Sequence, residues 1–520
     1  MTTYLIAAPY LTVLLLLVFY GLHRSQLVWM LWKHRRELPP APPRNVAESE
    51  LPRVTVQLPL FNEPDVLERL LESVAQIDYP RDRFEIQVLD DSTDDTRERS
   101  KAKVAELVRR GIDAVYIHRT DRTGYKAGAL DYGLKLAKGE LVAIFDADFI
   151  PQPEFLRTVV HHFADPKVGC VQARWGHINR DVSTLTRVQA LMLDGHHMVE
   201  NRARFAAGRF FNFSGTGGIW RREAIGDAGG WQHDTLTEDL DLSYRAQLAG
   251  WRFVYREDHT TPAELPEAME AFRAQQFRWA KGTVQTARKL LARVWSRKDL
   301  PLGVRTEAVF HMTPHFAYPL MMVLAVFLLP MLIVMPVSDP LSLLLVDIPL
   351  MVGSTGSLVT FYIVAERSQG RTARQALARI PWLIAIGAGM SPYLTKAVWE
   401  GLQSETGEFV RTPKKGQAKE GRYRARTILP LVEIALTVES VASVIAAFAT
   451  KHYIAMPFAL LFVMGFGYVS VMVVLERLST LPTKPRALPV QAPAMVESGP
   501  QLVPALRKAP AAAASDSVAA

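Results

Sequence analysis

Long apolar runs limit what this chain can fold into more than any other feature. Residues 4–22 contain no charged side chain, and further apolar segments lie at about 312–336, 341–365, 380–398, 427–449 and 453–475. A helix of about 20 apolar residues crosses the hydrocarbon core of a bilayer, and in that core the backbone must satisfy its own hydrogen bonds. The sequence therefore predicts an integral membrane protein with an α-helical transmembrane region.

The stretch between the apolar runs, about 50–300, has the pattern of a folded α/β domain. The chain carries a formal charge of +8, and its basic residues lie largely beside the apolar runs, where they meet anionic headgroups. No basic helix, finger or aromatic RNA-binding motif supports nucleic-acid binding. The single cysteine, Cys170, excludes an intrachain disulfide and a cysteine-rich zinc site.

Composition divides the chain into five predicted parts. They are an amino-terminal transmembrane anchor (1–37), a Pro-rich linker (38–50), a cytosolic α/β domain (51–295), a membrane region (296–480) and a tail (481–520). The tail is rich in Pro and Ala, so we expect it to be disordered.

Basic segments set the predicted orientation in a plasma or inner membrane. Four Lys and Arg residues between 24 and 36 follow the first apolar run, so the positive-inside rule places the amino terminus outside and the α/β domain in the cytosol. The loop 403–426 holds seven more Lys and Arg residues. If 380–398 crossed the bilayer, this basic loop would lie outside, against the positive-inside rule. We therefore predict an interfacial helix at 380–402, five spans and a cytosolic carboxy terminus.

Short apolar runs alternate with helical patterns inside the α/β domain. Strands are predicted at 54–58, 84–89, 114–118 and 141–145, and helices at 66–77, 97–110, 240–249 and 267–291. Such alternation is typical of a doubly wound α/β sheet.

Carboxylates directly follow two of these strands. Asp90 and Asp91 follow the second, and Asp146 and Asp148 follow the fourth. Open α/β sheets bind ligands at the carboxyl ends of their strands, so we expect the two acidic pairs to meet there. Asp146 and Asp148 can hold Mg²⁺ or Mn²⁺ that also contacts substrate phosphates. Taken alone, Asp-Ala-Asp fits a solvated turn equally well.

Three further motifs carry polar groups, and each also has a plainer structural explanation. Lys126 lies where a loop enters a helix, and the amides of a helix start can bind an anion. Lys126 is therefore either a ligand of a diphosphate or an ordinary exposed lysine. Glu238 and Asp239 begin an apparent helix, so they either cap that helix or take part in catalysis. Arg278 and Trp279 line a ligand site or pack on an amphipathic helix.

Four motifs stand in a fixed order along the α/β domain. They are Asp90-Asp91, Asp146-Ala147-Asp148, Thr237-Glu238-Asp239 and Gln275-Gln276-Phe277-Arg278-Trp279. With them, residues 51 to about 291 resemble a family 2 glycosyltransferase of the cellulose synthase superfamily. Intervening segments such as Val171-Gln172-Ala173-Arg174-Trp175 are similar to the cellulose synthase-like A group, the β-mannan and glucomannan synthases. The resemblance implies a glycosyltransferase-A type catalytic domain.

The resemblance also implies a role for each motif. Catalysis would fall to Asp239, as general base, with Glu238 beside it. The nucleotide-sugar donor, GDP-mannose or UDP-glucose, and its metal would meet Glu63, Asp90, Asp91, Lys126, Asp146 and Asp148, of which Asp146 and Asp148 bind the metal. The acceptor would meet Phe213, Gly215, Thr216, Gln275, Arg278 and Trp279. Within 403–426, Phe409, Thr412 and Lys414 resemble the gating loop of cellulose synthases.

The resemblance leaves two kinds of enzyme open. The leading hypothesis is a processive, inverting, metal-dependent hexosyltransferase that extends a growing β-linked mannan, glucomannan or glucan and passes it across the membrane. The alternative is a non-processive membrane enzyme that glycosylates a lipid acceptor, similar to ceramide glucosyltransferases, which share these motifs. A non-catalytic membrane scaffold is disfavoured because every motif carboxylate is present.

The orientation can be tested by labelling. A cysteine introduced by Lys415→Cys is expected to react with a membrane-impermeant maleimide only after permeabilisation, because loop 403–426 is predicted to be cytosolic. A cysteine placed between residues 336 and 340 is expected to react in intact cells. Labelling at position 415 from outside intact cells would rule out the five-span arrangement.

Overall fold

The computed structural model describes residues 2–35, 47–335, 348–403, 430–479 and 502–503. Its strands are β1 (Val54–Leu60), β2 (Phe84–Asp90), β3 (Ala114–His118), β4 (Leu141–Ile144), β5 (Val168–His177), β6 (Gly218–Arg221), β7 (Arg252–Ala263) and the two-residue β8 (Leu502–Val503). The four strands predicted from sequence are confirmed as β1–β4. The α/β class of the domain is confirmed as well.

The described residues also form α-helices along the α/β domain and the apolar segments. They are α1 (Thr2–His34), α2 (Leu67–Ala75), α3 (Thr96–Arg109), α4 (Tyr125–Leu136), α5 (Phe155–Val159), α6 (Thr184–Gly195), α7 (Arg202–Ala206), α8 (Arg222–Asp227), α9 (Glu238–Leu248), α10 (Met269–Ser296), α11 (Leu302–Met312), α12 (Ala317–Val334), α13 (Ile348–Met351), α14 (Ser357–Arg367), α15 (Ala373–Gly389), α16 (Ser391–Gln403), α17 (Leu431–Ala449) and α18 (Met456–Leu478). A π-helical turn, Val352–Gly356, joins α13 to α14.

One mixed sheet forms the α/β domain, with strand order β7-β5-β6-β4-β1-β2-β3-β8. The strands β4, β1, β2 and β3 are parallel, whereas β6 runs antiparallel to both β4 and β5. Since β5 then runs in the same direction as β4, the carboxyl ends of β1, β2, β4, β5 and β7 all lie at one edge. That edge is where the ligand site of such a sheet is expected.

Alternate residues of the sheet enter two hydrophobic layers, one on each face. Ala143 joins Leu70 of α2 and Val104 of α3 in the first layer. Ile144, the next residue of β4, joins Leu130 of α4 in the second. Because successive strand residues point to opposite faces, a strand covered on both sides reads as a continuous apolar run, as 141–145 does.

Five helical segments are long and apolar enough to cross a membrane. They are Leu5–His34, Pro314–Val334, Ile348–Arg367, Leu431–Ala449 and Met456–Leu478. Their number matches the sequence prediction. The region predicted as an interfacial helix, 380–402, is occupied by α15 and α16, which are not among the five, and its position in the interface stays a prediction.

The helix α15 packs directly on the last span, α18. A Cβ atom added at Gly389 would overlap the backbone carbonyl of Gly465, and one added at Gly465 would overlap the carbonyl of Ala385. Glycine at both positions therefore allows the two backbones to touch, as small residues do at close helix crossings in membranes.

Candidate active site

A cleft opens at the edge of the sheet where the parallel strands end. It encloses about 1270 Å³ of empty space, including the part open to solvent. Its wall collects residues from the whole catalytic domain, namely Glu63, Asp91, Lys126, Asp146, Asp148, Gly215, Glu238, Asp239, Gln275, Arg278 and Trp279. The four sequence motifs therefore meet in one place.

Asp146 and Asp148 lie just beyond β4 and face the cleft, both half-buried. The backbone N–H of Asp146 donates to the hydroxyl of Thr216 at 2.9 Å, which fixes the turn that presents the pair. Burial raises the pKa of Asp146, Lys126 opposes that rise and Asp148 adds to it. Asp148 thus adds like charge beside the half-buried Asp146, and a cation would relieve that repulsion.

Lys126 supplies one such cation at the first turn of α4. Its ammonium group lies 2.5 Å from Asp146, 2.9 Å from the carbonyl oxygen of Gly215 and 3.9 Å from Glu238. Burial works to lower the pKa of Lys126, but Asp146, Glu238 and Asp239 outweigh it, so the pKa is raised. The lysine therefore stays charged and is not merely an exposed helix residue.

Glu238 and Asp239 begin α9 close to Lys126. The Asp239 carboxylate accepts from the N–H of Leu240 at 2.8 Å, so it contributes to the helix start while it also lines the cleft. Burial and the neighbouring Glu238 raise the pKa of Asp239 to about 7, and Lys126 opposes the rise. A carboxylate with a pKa near neutrality can accept a proton under physiological conditions.

The helix α10 presents Gln275, Arg278 and Trp279 to the cleft from one face. Residues three and four apart lie on the same side of a helix, which is why the spacing of this motif brings the three together. Burial lowers the pKa of Arg278, and Glu238, Asp146 and Asp239 counteract that effect. Arg278 therefore adds a second positive charge beside the carboxylates.

Three residues predicted for the site lie behind the cleft wall. Asp90 is fully buried and accepts from the hydroxyl of Tyr116 at 3.0 Å. Phe213 is buried in the core with its ring centroid 5.6 Å from that of Trp220. Thr216 is buried beside Asp146. The structure gives these side chains contacts that support the site, and direct substrate contacts for them stay predictions.

Comparison with known proteins agrees with this geometry. The family model described as Glycosyltransferase like family 2 matches residues 52–282. The chain is 35% identical over 392 residues to glucomannan 4-beta-mannosyltransferase 1 of Cyamopsis tetragonoloba, covering 72% of this chain and 71% of that protein. It is 35% identical over 393 residues to glucomannan 4-beta-mannosyltransferase 2 of Arabidopsis thaliana, covering 74% of this chain and 71% of that protein.

This chain belongs to glycosyltransferase-like family 2. The family predicted from the four motifs is thereby confirmed, and the mixed sheet is the glycosyltransferase-A type fold that the resemblance implied. Among solved structures, the mannosyltransferase of Pyrobaculum calidifontis in complex with GDP-Man and Mn²⁺ aligns with a TM-score of 0.49 and 24% identity, covering 77% of this chain and 98% of that chain.

Some residues of this family 2 cleft were missed from the sequence. The guanidinium of Arg122 lies 3.2 Å from the ring centroid of Phe61, and both line the cleft near Asp91. Trp175 and His177, at the end of β5, line it as well. Arg122 and Trp175 belong to segments recognised in the sequence, but no pattern along the chain predicts that Phe61 lies against Arg122.

Asp146 and Asp148 are the candidate ligands of a divalent metal ion. Within the described part of the chain, no group of three or more His, Cys, Asp and Glu side chains could hold a metal ion. Asp146 and Asp148 instead offer a pair of hard oxygen ligands, one of them shared with Lys126. Such a pair suits Mg²⁺ or Mn²⁺, which takes its remaining ligands from phosphates and water.

The predicted gating residues Phe409, Thr412 and Lys414 lie outside the described residues. Their role stays a prediction.

The position of Asp239 predicts a specific defect for Asp239→Asn. The amide cannot accept a proton, so we expect turnover to fall by roughly 10²–10⁴-fold, with nucleotide-sugar affinity retained in a binding assay. Asp234→Asn is the matched control, because Asp234 is exposed and pairs with Lys289 at 2.7 Å instead of lining the cleft. Near wild-type turnover of Asp239→Asn would exclude Asp239 as the base.

The raised pKa of Asp239 predicts the pH dependence of the reaction. A base must be deprotonated to act, so kcat/KM is expected to fall as pH drops below about 7 and to level off above it. The residual activity of Asp239→Asn should lack this limb. A wild-type limb near the ordinary pKa of an aspartate, about 4, would contradict the assignment.

Proposed function

We propose that this protein is an inverting glycosyltransferase that extends a β-linked mannan, glucomannan or glucan from GDP-mannose or UDP-glucose and passes it across the membrane. One observation carries the proposal. A single cleft joins a carboxylate pair and a lysine suited to a sugar diphosphate with a base-like aspartate and a tryptophan-bearing helix. The similarity to glucomannan 4-beta-mannosyltransferases favours mannose as the transferred sugar.

The proposed reaction is a direct displacement at the anomeric carbon. Asp239 takes the proton of the acceptor hydroxyl as its oxygen forms a bond to that carbon. The bond from the carbon to the diphosphate oxygen breaks on the opposite face, so the configuration inverts, and the nucleoside diphosphate leaves with the bonding electrons. Electrostatic stabilisation of the leaving diphosphate falls to Lys126.

A bound Mg²⁺ or Mn²⁺ would add positive charge beside the same diphosphate. Asp146 and Asp148 would hold it, and the salt bridge from Lys126 would orient Asp146 for that task. The protein's own contribution is to keep these charges fixed in a half-buried cleft, where each is worth more than in water.

Aromatic residues suit the acceptor end of the cleft. Trp279 and Trp175 both line it, and Trp175 packs edge-on against Phe149 with centroids 5.2 Å apart. Flat rings stack on the apolar faces of sugars. Two tryptophans on one wall favour an acceptor of more than one sugar unit over a single lipid hydroxyl.

The proposed orientation places the catalytic domain on the cytosolic side, next to the nucleotide-sugar pool. The amino terminus would then lie outside and the carboxy terminus inside. The five helices that are long and apolar enough to cross a membrane would form the passage for a polymer that leaves the cleft. A glycolipid product, the alternative, would need no such passage.

The proposal predicts the product of a donor assay. Purified protein in vesicles is incubated with radiolabelled GDP-mannose or UDP-glucose and Mg²⁺ or Mn²⁺, and Asp239→Asn serves as the inactive control. We expect a long polysaccharide that β-mannanase or another β-glycosidase degrades, with GDP-mannose the better donor. A chloroform-soluble monoglycosylated lipid, without polymer at any donor concentration, would decide for the glycolipid enzyme.

A further inference from the structure

The amino terminus of α10 is capped by a residue from the last apolar helix. The Glu476 carboxylate, near the end of α18, accepts from the N–H of Met269 at 2.6 Å and from that of Glu270 at 3.0 Å. The residue before the helix is Ala268, which has no polar side chain to offer. A helix start leaves its first N–H groups without partners inside the helix and attracts negative charge. Glu476, which is 207 residues from Met269 along the chain, accepts hydrogen bonds from two of these N–H groups and supplies the negative charge.

A buried ion pair joins the next turn of α10 to a second apolar helix. Arg273 donates to Glu433, at the start of α17, at 2.6 Å, and both side chains are at most 5% exposed. The Arg273 guanidinium also lies 4.4 Å from the ring centroid of Tyr393 in α16. A buried pair of this kind contributes little net stability, because desolvation offsets its attraction, but it fixes geometry.

A third carboxylate holds the middle of α10. Lys281 donates to Glu400 of α16 at 3.0 Å, and the two helices touch closely there, because a Cβ atom added at Gly401 would lie 2.9 Å from the carbonyl oxygen of Lys281. Three helices beside or within the membrane thus each contribute one glutamate to α10.

The same helix carries the acceptor wall and supports the base. Gln275, Arg278 and Trp279 face the cleft from α10. Further along, a Cβ atom added at Gly282 would lie 2.7 Å from the backbone nitrogen of Thr237. The Thr286 hydroxyl is 3.1 Å from that of Thr237, two residues before Asp239. A shift of α10 would therefore move the acceptor wall and the start of α9 together.

We propose that Glu400, Glu433 and Glu476 are positioning residues for sugar transfer, which set α10, and through it the acceptor wall and Asp239, from the membrane side. The contacts given above for Glu433 and Glu476 fall on α10 and those for Glu400 on α10 and α16, and none of these contacts involves Asp146, Asp148 or Lys126. Loss of one anchor should therefore lower the rate of transfer and leave donor binding almost unchanged. The expected kinetic effect rests on the proposed function, whereas the anchoring itself does not.

Glu476→Gln tests the cap, because it removes the charge and one of the two acceptor oxygens. We expect kcat to fall by about 10-fold or more, since small misplacements in an active site are costly, with the donor KM within about 2-fold of wild type. The matched control is Arg477→Gln, an exposed change at the next position of the same helix. An unchanged kcat for Glu476→Gln would overturn the role of the cap.

The buried pair needs a variant that keeps the fold. Glu433→Gln leaves Arg273 buried without its counter-charge, so it can unfold the protein. Arg273→Met combined with Glu433→Leu replaces the pair by apolar side chains, which buried sites often tolerate. We expect this double variant to melt near the wild-type temperature and to lose kcat by about 10-fold, with donor KM held. A wild-type kcat in the double variant would show that the Arg273–Glu433 pair does not position α10 for sugar transfer.

For the third anchor, Lys281→Met removes the bond to Glu400 and should lower kcat in the same way. Lys396→Met is its control, because Lys396 is the other cation beside Glu400, at 3.8 Å, and lies on α16 itself. Equal kcat values for these two variants would remove Glu400 from the proposal.

Hydrogen–deuterium exchange separates the anchoring from the enzymatic reaction. In Glu476→Gln, the amides of residues 269–273 are expected to exchange faster than in wild type and in Arg477→Gln. Unchanged exchange would overturn the cap. If wild-type protein transfers no sugar from either donor, the proposed function fails, while exchange at these amides still reports whether Glu476 holds α10.

Discussion

The charge of Lys126 allows the carboxylates of this cleft to share a small volume. Asp146, Glu238 and Asp239 all act on it electrostatically, and its ammonium group touches Asp146 directly. Burial raises the pKa of both Asp146 and Asp239, and Lys126 opposes the rise in each, so its charge favours their deprotonated forms. Lys126 stands at the first turn of α4, so the sheet and its covering helix determine where that charge lies.

The electrostatics also divide the cleft into two ends. Asp146, Asp148 and Lys126 form the end suited to a diphosphate, and Asp239 lines the same cleft with a pKa raised to about 7 by burial and Glu238. Trp279 and Trp175 lie on the wall suited to a sugar chain. The proposed displacement would need both ends, one for the leaving diphosphate and one for the attacking hydroxyl.

The membrane region does more than anchor the catalytic domain. Its carboxylates reach α10 at the first turn, at Arg273 and at Lys281, and α10 forms part of the cleft. The wall that α10 forms is therefore held jointly by the α/β domain and by helices of the predicted membrane region. Lys126 and Asp146, by contrast, stand on α4 and just beyond β4, within the α/β domain.

The sequence by itself determined the number of apolar spans, the α/β class, the first four strands and the motifs of the cleft. It could do so because span length, strand alternation and carboxylates at strand ends are local patterns. Local patterns did not reveal β6, Gly218–Arg221, because it follows a glycine-rich loop and has only two apolar side chains, Ile219 and Trp220, instead of an apolar run. They also did not show that Asp90 turns away from the cleft towards Tyr116. Only the tertiary structure decided that Glu476 caps α10 and that Phe61 lies against Arg122, because such pairings depend on how distant segments pack and leave no mark on the spacing of residues along the chain.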